Sequence, residues 1–188
     1  MNLALLLMVA CGPTVVLDDL GVSPEFTLTD QRGAPLSSAD LRGRVLVVDF
    51  IFTRCPHVCP LLTQRLAEVA EATASAPASA LPIELVSFTV DPSYDTPEVL
   101  QEYAGRYSIP PERWHLLTGD VEAMSAVSLG FMQGLERGTE QPVPDITHSQ
   151  RMLVVDPAGH IRLMAETDPP GLASIQEAAL ALATGKAR

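Results

Sequence analysis

The sequence predicts one α/β domain, because segments with strand character alternate with segments of helical periodicity. A nearly continuous apolar run over 45–52 is typical of a strand buried on both faces of a mainly parallel sheet. Apolar residues at helical spacing follow over 62–73, and the stretch 149–165 predicts a β-hairpin ahead of a last helix. A βαβ unit followed by a ββα unit, with a central mixed sheet flanked by helices, is the thioredoxin-like plan.

The elements around the central strand are marked by turn residues and linkers. Alternation over 25–29 followed by Asp30-Gln-Arg-Gly33 predicts a short strand and a turn. The stretch 36–44 predicts a loop that leads into the central strand. Beyond the first helix, an Ala/Ser/Pro-rich linker over 74–82 precedes a second strand over 83–90.

The second half of the chain continues the alternation. Thr96 can cap a helix that runs to about Tyr107, with Pro97 and Glu98 suited to its first turn. The next elements are a strand over 114–118, a helix after Gly119-Asp120, and a loop over 134–145, a length that is commonly functional or mobile. Pro169-Pro-Gly171 is expected to break the chain before the last helix, 172–183.

Charge and length restrict the classes of function. The chain has 188 residues, enough for one sizeable core, and 12 basic against 23 acidic side chains give a net charge of −11. No cluster of Lys or Arg is present, which argues against nucleic acid and against an anionic membrane surface as partners.

The amino terminus has the character of an export signal. Leu3 to Ala10 is an apolar run of about eight residues, whereas a membrane-spanning helix needs roughly 20. Met8-Val-Ala-Cys11 resembles a bacterial lipoprotein cleavage box, although no basic residue precedes it. We therefore expect an export signal over 1–11, a tether over 12–24 and the domain over 25–186. The protein would lie on the periplasmic side of a bacterial membrane, with a lipid on Cys11 as its membrane attachment.

Two cysteines mark the junction between the central strand and its helix. Cys55 and Cys59 are four residues apart, one helical turn, so that their sulfurs share a face if the segment is helical. Free amides and the helix dipole at such a junction favour the thiolate, which is both the nucleophile and the metal ligand. Two thiolates suit Cu(I) or Zn(II) and can also close a disulfide.

A third ligand is needed to complete a metal site, and four histidines are available. His57 lies between the cysteines, His115 lies inside a predicted strand, and His160 lies in the hairpin turn. His148 opens the hairpin, which in a thioredoxin-like fold approaches the junction that carries the cysteines. Position alone leaves open whether His148 is a ligand or an ordinary surface or core residue.

Four motifs in order resemble the SCO/SenC family of copper-binding, thioredoxin-like proteins that serve cytochrome c oxidase assembly. They are Phe52-Thr-Arg-Cys-Pro-His-Val-Cys-Pro60, Val90-Asp-Pro-Ser-Tyr-Asp-Thr-Pro-Glu98, Trp114-His-Leu-Leu-Thr-Gly119 and His148-Ser-Gln-Arg-Met-Leu-Val-Val-Asp-Pro157. The resemblance runs from about Phe26 to Ala165. It implies that Cys55, Cys59 and His148 bind copper. Thr147 and Tyr94 depart from the family pattern, which often has Asp and Arg there, and this puts partner recognition in doubt.

The resemblance implies a metallochaperone that binds Cu(I) in a roughly trigonal site of two sulfurs and one nitrogen, and also accepts Cu(II). A cytochrome c oxidase subunit or another copper chaperone would be its partner, and the dithiol redox state would gate the site. The loop 134–145 would move during transfer. Asp49 is expected to make local hydrogen bonds, with an effect on the ionisation of the cysteines as the alternative. His57 is expected to lie exposed on the turn, with a role as an auxiliary or entry ligand as the alternative.

Two enzymatic alternatives use the same cysteines. A thiol–disulfide oxidoreductase would reduce a partner protein's cysteines with Cys55 as the attacking thiol and would not need His148. A peroxiredoxin-type peroxidase is suggested by Thr53-Arg54 beside Cys55, but it leaves Cys59-Pro60 and the histidine unexplained. Whether the chain is an enzyme therefore stays open at this point.

Overall fold

The computed structural model describes residues 14–56, 58–132, 135–137, 146–148 and 150–188, with side chains outside 133–149. A 3₁₀ helix spans Ser38–Leu41, and the other elements are β1 Thr27–Asp30, β2 Pro35–Ser37, β3 Val45–Ile51, α1 Val58–Ala74, β4 Ile83–Thr89, α2 Pro97–Arg106, β5 Trp114–Thr118, α3 Val121–Gly130, β6 Leu135–Arg137, β7 Ile146–His148, β8 Arg151–Val155, β9 Ile161–Glu166 and α4 Pro169–Ala183. The predicted α/β, thioredoxin-like fold is confirmed.

A mixed sheet of seven strands forms the centre of the described domain, in the order β2-β1-β5-β4-β3-β8-β9. The strands β3, β4 and β5 are parallel to one another, whereas β8 runs antiparallel to β3. Every residue of β3 and β4 is buried. This is the environment that the apolar run 45–52 predicts, because a parallel strand covered on both faces has no solvent-facing side.

Helices cover one face of the sheet, and an aromatic cluster fills part of the other. The helices α1 and α2 are joined by a buried contact of 2.6 Å between the Thr63 and Tyr103 hydroxyls. On the opposite face, the rings of Phe50 and Phe88 stack with centroids 5.5 Å apart, and Phe131 lies 6.0 Å from Phe50. The two faces together hold the carboxyl end of β3, and with it the turn that carries the cysteines, in a packed environment.

Three predicted boundaries are wrong for identifiable reasons. The stretch 36–44 contains part of β2 and the 3₁₀ helix, which Ser37 and Asp40 begin as a capping box. Pro169-Pro-Gly171 starts α4 rather than preceding it, because Asp168 caps the helix and proline fits a first turn. The predicted loop 134–145 contains the strand β6, which pairs with β7.

The described part of the segment predicted as a tether lies against the domain. The Val15 amide donates to the Lys186 carbonyl at 2.8 Å, and the Ser23 amide donates to the Gly159 carbonyl at 2.8 Å. This extended segment therefore runs along the carboxyl terminus and the β8–β9 turn. The predicted export signal and Cys11 lie outside the described residues.

None of the described helices combines the length and the apolar character that crossing a bilayer requires.

The buried face of α1 generates a stability prediction with a control on the same helix. Leu66 is fully buried, whereas Leu61 is 47% exposed. We expect Leu66→Ala to lower the free energy of unfolding by about 2–5 kcal/mol, because it leaves a cavity, and Leu61→Ala to cost less than about 1 kcal/mol. Urea unfolding of the reduced protein measures both. Equal losses would contradict the packing of α1 described above.

Candidate metal centre

The two cysteines lie next to each other at the carboxyl end of β3. Cys55 is in the turn that follows the strand, and Cys59 is in the first turn of α1. The Cys59 amide donates a hydrogen bond to the Cys55 sulfur at 3.4 Å, and the Phe52 amide donates one to the Cys59 sulfur at 3.5 Å. The two sulfurs are not joined in a disulfide. The structure thus confirms the predicted junction of strand, cysteine pair and helix.

Burial separates the two thiols chemically. Cys59 is fully buried, and Cys55 is 9% exposed. Loss of hydration raises the pKa of Cys59 well above its ordinary value, and the neighbouring Cys55 and Asp49 raise it further, against the lowering effect of the Phe52 amide. The expectation that the junction makes both thiols easily deprotonated is therefore wrong for Cys59, where desolvation outweighs the amide and the helix dipole.

Asp49 is a buried carboxyl group on the face of β3 that packs against α1. It is fully buried, and burial raises the pKa of Asp49 to about 7, with the Ser87 hydroxyl acting in the opposite direction. Ser87 also accepts a hydrogen bond of 2.9 Å from the Trp114 indole. The local hydrogen bonds expected of Asp49 are not found, because neither of its buried carboxyl oxygens has a hydrogen-bond partner among the described residues, and Asp49 instead contributes to raising the pKa of Cys59.

A second turn, between β4 and α2, contacts the cysteine turn. The Asp95 carboxylate accepts hydrogen bonds from the amide and hydroxyl of Thr53, and also from the Thr89 hydroxyl. The Arg54 guanidinium donates to Asp91 at 2.6 Å. These contacts join the residues immediately before Cys55 to the neighbouring turn.

The sequence did not predict the contacts between these two turns. The ring of Tyr94, one of the two departures from the family pattern, lies under the Arg54 guanidinium, with 4.1 Å between the ring centroid and the guanidinium carbon, and remains 45% exposed. The signal that could have identified the contact is the pair of carboxylates, Asp91 and Asp95, directly after a buried parallel strand. Such residues meet the turn that follows the neighbouring strand.

The histidines are distributed over the fold. The backbone of His148 ends β7 and pairs with Leu135, whereas its side chain and the whole of His57 lie outside the described residues. His115 lies 3.5 Å from the Glu84 carboxylate, at the end of the sheet opposite to the cysteines. His160 contacts Asp19 at 3.0 Å. Neither His115 nor His160 approaches the cysteine pair.

The described residues do not by themselves complete a metal site. Over the ranges whose side chains are placed, no group of three or more His, Cys, Asp or Glu side chains could hold a metal ion. Two adjacent sulfurs are soft donors that suit Cu(I). The described side chains therefore supply two adjacent sulfur donors at this place in the fold.

Comparisons with known proteins agree on one family. A family model described as SCO1/SenC matches residues 17–179. A protein of Stutzerimonas stutzeri that is described as a candidate copper-binding protein is 32% identical over 144 residues, which are 74% of this chain and 66% of the relative.

Solved structures agree with the family model. A SCO1/SenC family lipoprotein from Bacillus anthracis is 26% identical, with a TM-score of 0.78 over 90% of this chain and 99% of that one. BsSco, described with a disulfide switch as a member of the Sco family of cytochrome c oxidase assembly proteins, is 25% identical. Its TM-score is 0.72 over 89% of this chain and 97% of its own.

The buried carboxyl of Asp49 predicts a pH dependence of stability in the metal-free, reduced protein. The pKa rises from 3.8 to about 7 on folding, so the folded protein keeps a proton that the unfolded chain has released. Stability from this group is therefore present below about pH 4 and is lost as the pH rises through 7. Between pH 5 and pH 8 we expect a loss of about 2–3 kcal/mol that Asp49→Asn removes.

Urea unfolding at the two pH values, with wild type and Asp49→Asn side by side, measures this difference. The comparison cancels the other titrating groups, since they are shared. If Asp49→Asn has the same pH dependence of stability as wild type, the pKa of Asp49 is not raised on folding.

Proposed function

Because the chain belongs to the SCO1/SenC family, we propose that it is a copper carrier that serves the assembly of a cytochrome oxidase copper centre. The observation that carries this proposal is the pair of adjacent cysteines, Cys55 and Cys59, at the carboxyl end of β3, which are not joined in a disulfide. The relative described as a candidate copper-binding protein and the assembly role given for BsSco's family support the choice of cargo and destination.

The cysteine pair is suited to copper as cargo. Thiolates select Cu(I) over the harder divalent ions. In the metal-free protein the raised pKa of Cys59 keeps this thiol protonated near neutral pH, so binding must displace the proton. The Phe52 and Cys59 amides already point at the two sulfurs, and they can stabilise the negative charge that the proton leaves behind.

We assign the third ligand to His148, on the family resemblance and on the course of the backbone. In the antiparallel ladder of β3 and β8, Val48 pairs with Leu153 and Leu46 pairs with Val155. The chain before β8 therefore comes from beyond the carboxyl end of β3, which is where the cysteine turn begins. His148 ends β7 just before β8 and so enters from the side of the cysteines.

Redox chemistry of the pair would control loading. In the copper-loaded protein the two thiolates carry no protons, so closing the Cys55–Cys59 disulfide passes two electrons to a partner disulfide, which takes up two protons from water and becomes a dithiol. Both thiolate ligands are then lost, and copper is released. Copper can bind again after a partner dithiol has reduced the Cys55–Cys59 disulfide.

The proposed site of action rests on the export signal expected at the amino terminus. An export signal with Cys11 as a lipidated residue would hold the carrier at the periplasmic side of a membrane, consistent with the Bacillus anthracis relative described as a lipoprotein. The recipient would be a cytochrome c oxidase subunit or another copper chaperone on the same side.

The same thiols support a second candidate function, thiol–disulfide exchange. Cys55 is more exposed than Cys59, so the Cys55 thiolate would attack a partner's disulfide and form a mixed disulfide. Cys59 would then attack Cys55, closing the internal disulfide and releasing the partner as a dithiol. The specific observation in favour is the Cys59 amide on the Cys55 sulfur, which keeps the two residues within reach.

Copper titration of the reduced protein separates the two functions. We expect one Cu(I) per chain, and we expect His148→Ala to weaken binding by more than about tenfold because one of three ligands is lost. His160→Ala, in the hairpin turn beside Asp19, is the control and should bind as wild type does. X-ray absorption should show two sulfurs and one nitrogen.

The results of these measurements distinguish the copper carrier from the oxidoreductase. If His148→Ala binds copper as tightly as wild type, the three-ligand site is wrong. If the wild type binds no copper tightly but reduces a model disulfide rapidly, and Cys55→Ser abolishes this activity, the chain is an oxidoreductase.

A further inference from the structure

Three backbone amides of the turn that carries Cys55 donate hydrogen bonds. The Phe52 amide donates to the Cys59 sulfur at 3.5 Å, and the Thr53 amide donates to Asp95 at 3.1 Å. The Cys55 amide donates to the Phe52 carbonyl at 3.2 Å. One of these bonds thus ends on a cysteine sulfur, and its neighbour ends on a carboxylate from another turn.

Asp95 is buried more deeply than the turn it holds. It is fully buried, and its carboxylate accepts the Thr53 amide, the Thr53 hydroxyl and the Thr89 hydroxyl. Its own amide donates to the Asp91 carbonyl at 2.9 Å, which fixes it within the β4–α2 turn. Thr89 ends β4, so the carboxylate connects the ends of two parallel strands.

The carboxylate is not required to begin α2. Thr96 is the residue that caps this helix, and its side chain accepts a hydrogen bond from the Val99 amide. Burial raises the pKa of Asp95, a cost that the bonds to Thr53 and Thr89 oppose. A buried carboxylate whose bonds go to the cysteine turn rather than to its own helix points to a role at that turn.

The neighbouring ion pair between Arg54 and Asp91 connects the two turns more weakly. The Arg54 side chain is 28% exposed and pairs with Asp91 at 2.6 Å, so solvent screens it more than it screens the bonds of Asp95. Its contact with Tyr94 is also at the surface. Of the two contacts between the turns, we therefore take Asp95 as the dominant one.

We propose that Asp95 is a positioning residue for the cysteine pair: by fixing Thr53 it holds the turn 52–55 in the conformation that keeps the Cys55 and Cys59 sulfurs adjacent. Its effect on copper rests on the proposed function. Its effect on the turn does not, because the same contacts are present in the metal-free protein.

The test compares Asp95→Ala with Asp95→Asn and with a control carboxylate. Asp120 is an exposed carboxylate that caps α3 and accepts the Ala123 amide at 2.7 Å, so Asp120→Ala removes a carboxylate-to-amide hydrogen bond that does not involve the cysteine turn. Asn at position 95 keeps one oxygen for the Thr53 amide and is the conservative variant. It also keeps the test usable if Asp95→Ala does not fold.

The first measurement is amide hydrogen exchange at Phe52 and Thr53 in the reduced, metal-free protein. We expect exchange at both positions to accelerate more than about tenfold in Asp95→Ala, less in Asp95→Asn, and not at all in Asp120→Ala. Unchanged exchange at Thr53 and Phe52 in both position-95 variants overturns the proposal.

The second measurement is Cu(I) affinity by competition with a chromogenic chelator, together with the thiolate-to-Cu(II) absorption band. We expect Asp95→Ala to weaken binding by about tenfold or more and to change the band, with partial rescue by Asp95→Asn. Equal losses in Asp95→Ala and Asp120→Ala would mean that Asp95 supports only the fold. If the wild type binds no copper, the proposed function fails, and the exchange measurement still decides the role of Asp95.

Discussion

The parallel pairing of β3 with β4 is the constraint on which the rest of the site depends. Parallel strands end at the same edge of a sheet, so the turns that follow them are neighbours. Ile51 pairs with Thr89 at this edge, and the chain continues on one side to the cysteines and on the other to Asp95. The contact between the two turns is thus a consequence of strand direction, which follows from the helical crossover α1 that connects β3 to β4.

Desolvation decides the chemistry that this edge allows. A helix start offers amides to an anion, but at Cys59 the loss of water has the larger effect and its pKa rises. Cys55, at the rim of the same turn, keeps some access to solvent. The pair is therefore asymmetric: one sulfur is available to a partner, and the other is shielded and held by the Phe52 amide. Such an asymmetry suits both carrying copper and exchanging disulfides, because a partner can reach Cys55, which is 9% exposed, more easily than the fully buried Cys59.

The sequence was sufficient for the parts that depend on burial periodicity and on local capping. The apolar run 45–52, the Thr96 cap and the turn before β9 all lie where they were predicted, because each is determined by residues close together in the chain. The bonds of Asp95 to Thr53 were not predicted, since they join positions 42 residues apart and depend on which strand lies beside β3. The raised pKa of Cys59 was missed for a similar reason, because burial is a property of the packed domain.

The ligand set that we propose divides between two different structural environments. Cys55 and Cys59 belong to one turn, fixed by packing on both faces of β3 and by the contacts of Thr53. His148 comes from β7, which pairs with β6 in a separate two-stranded sheet and not with the main sheet. A ligand contributed from a separate sheet can change its distance to the sulfurs without unpairing β3. A carrier needs this property, because it must hold its cargo with several ligands and yet exchange them one at a time with a recipient.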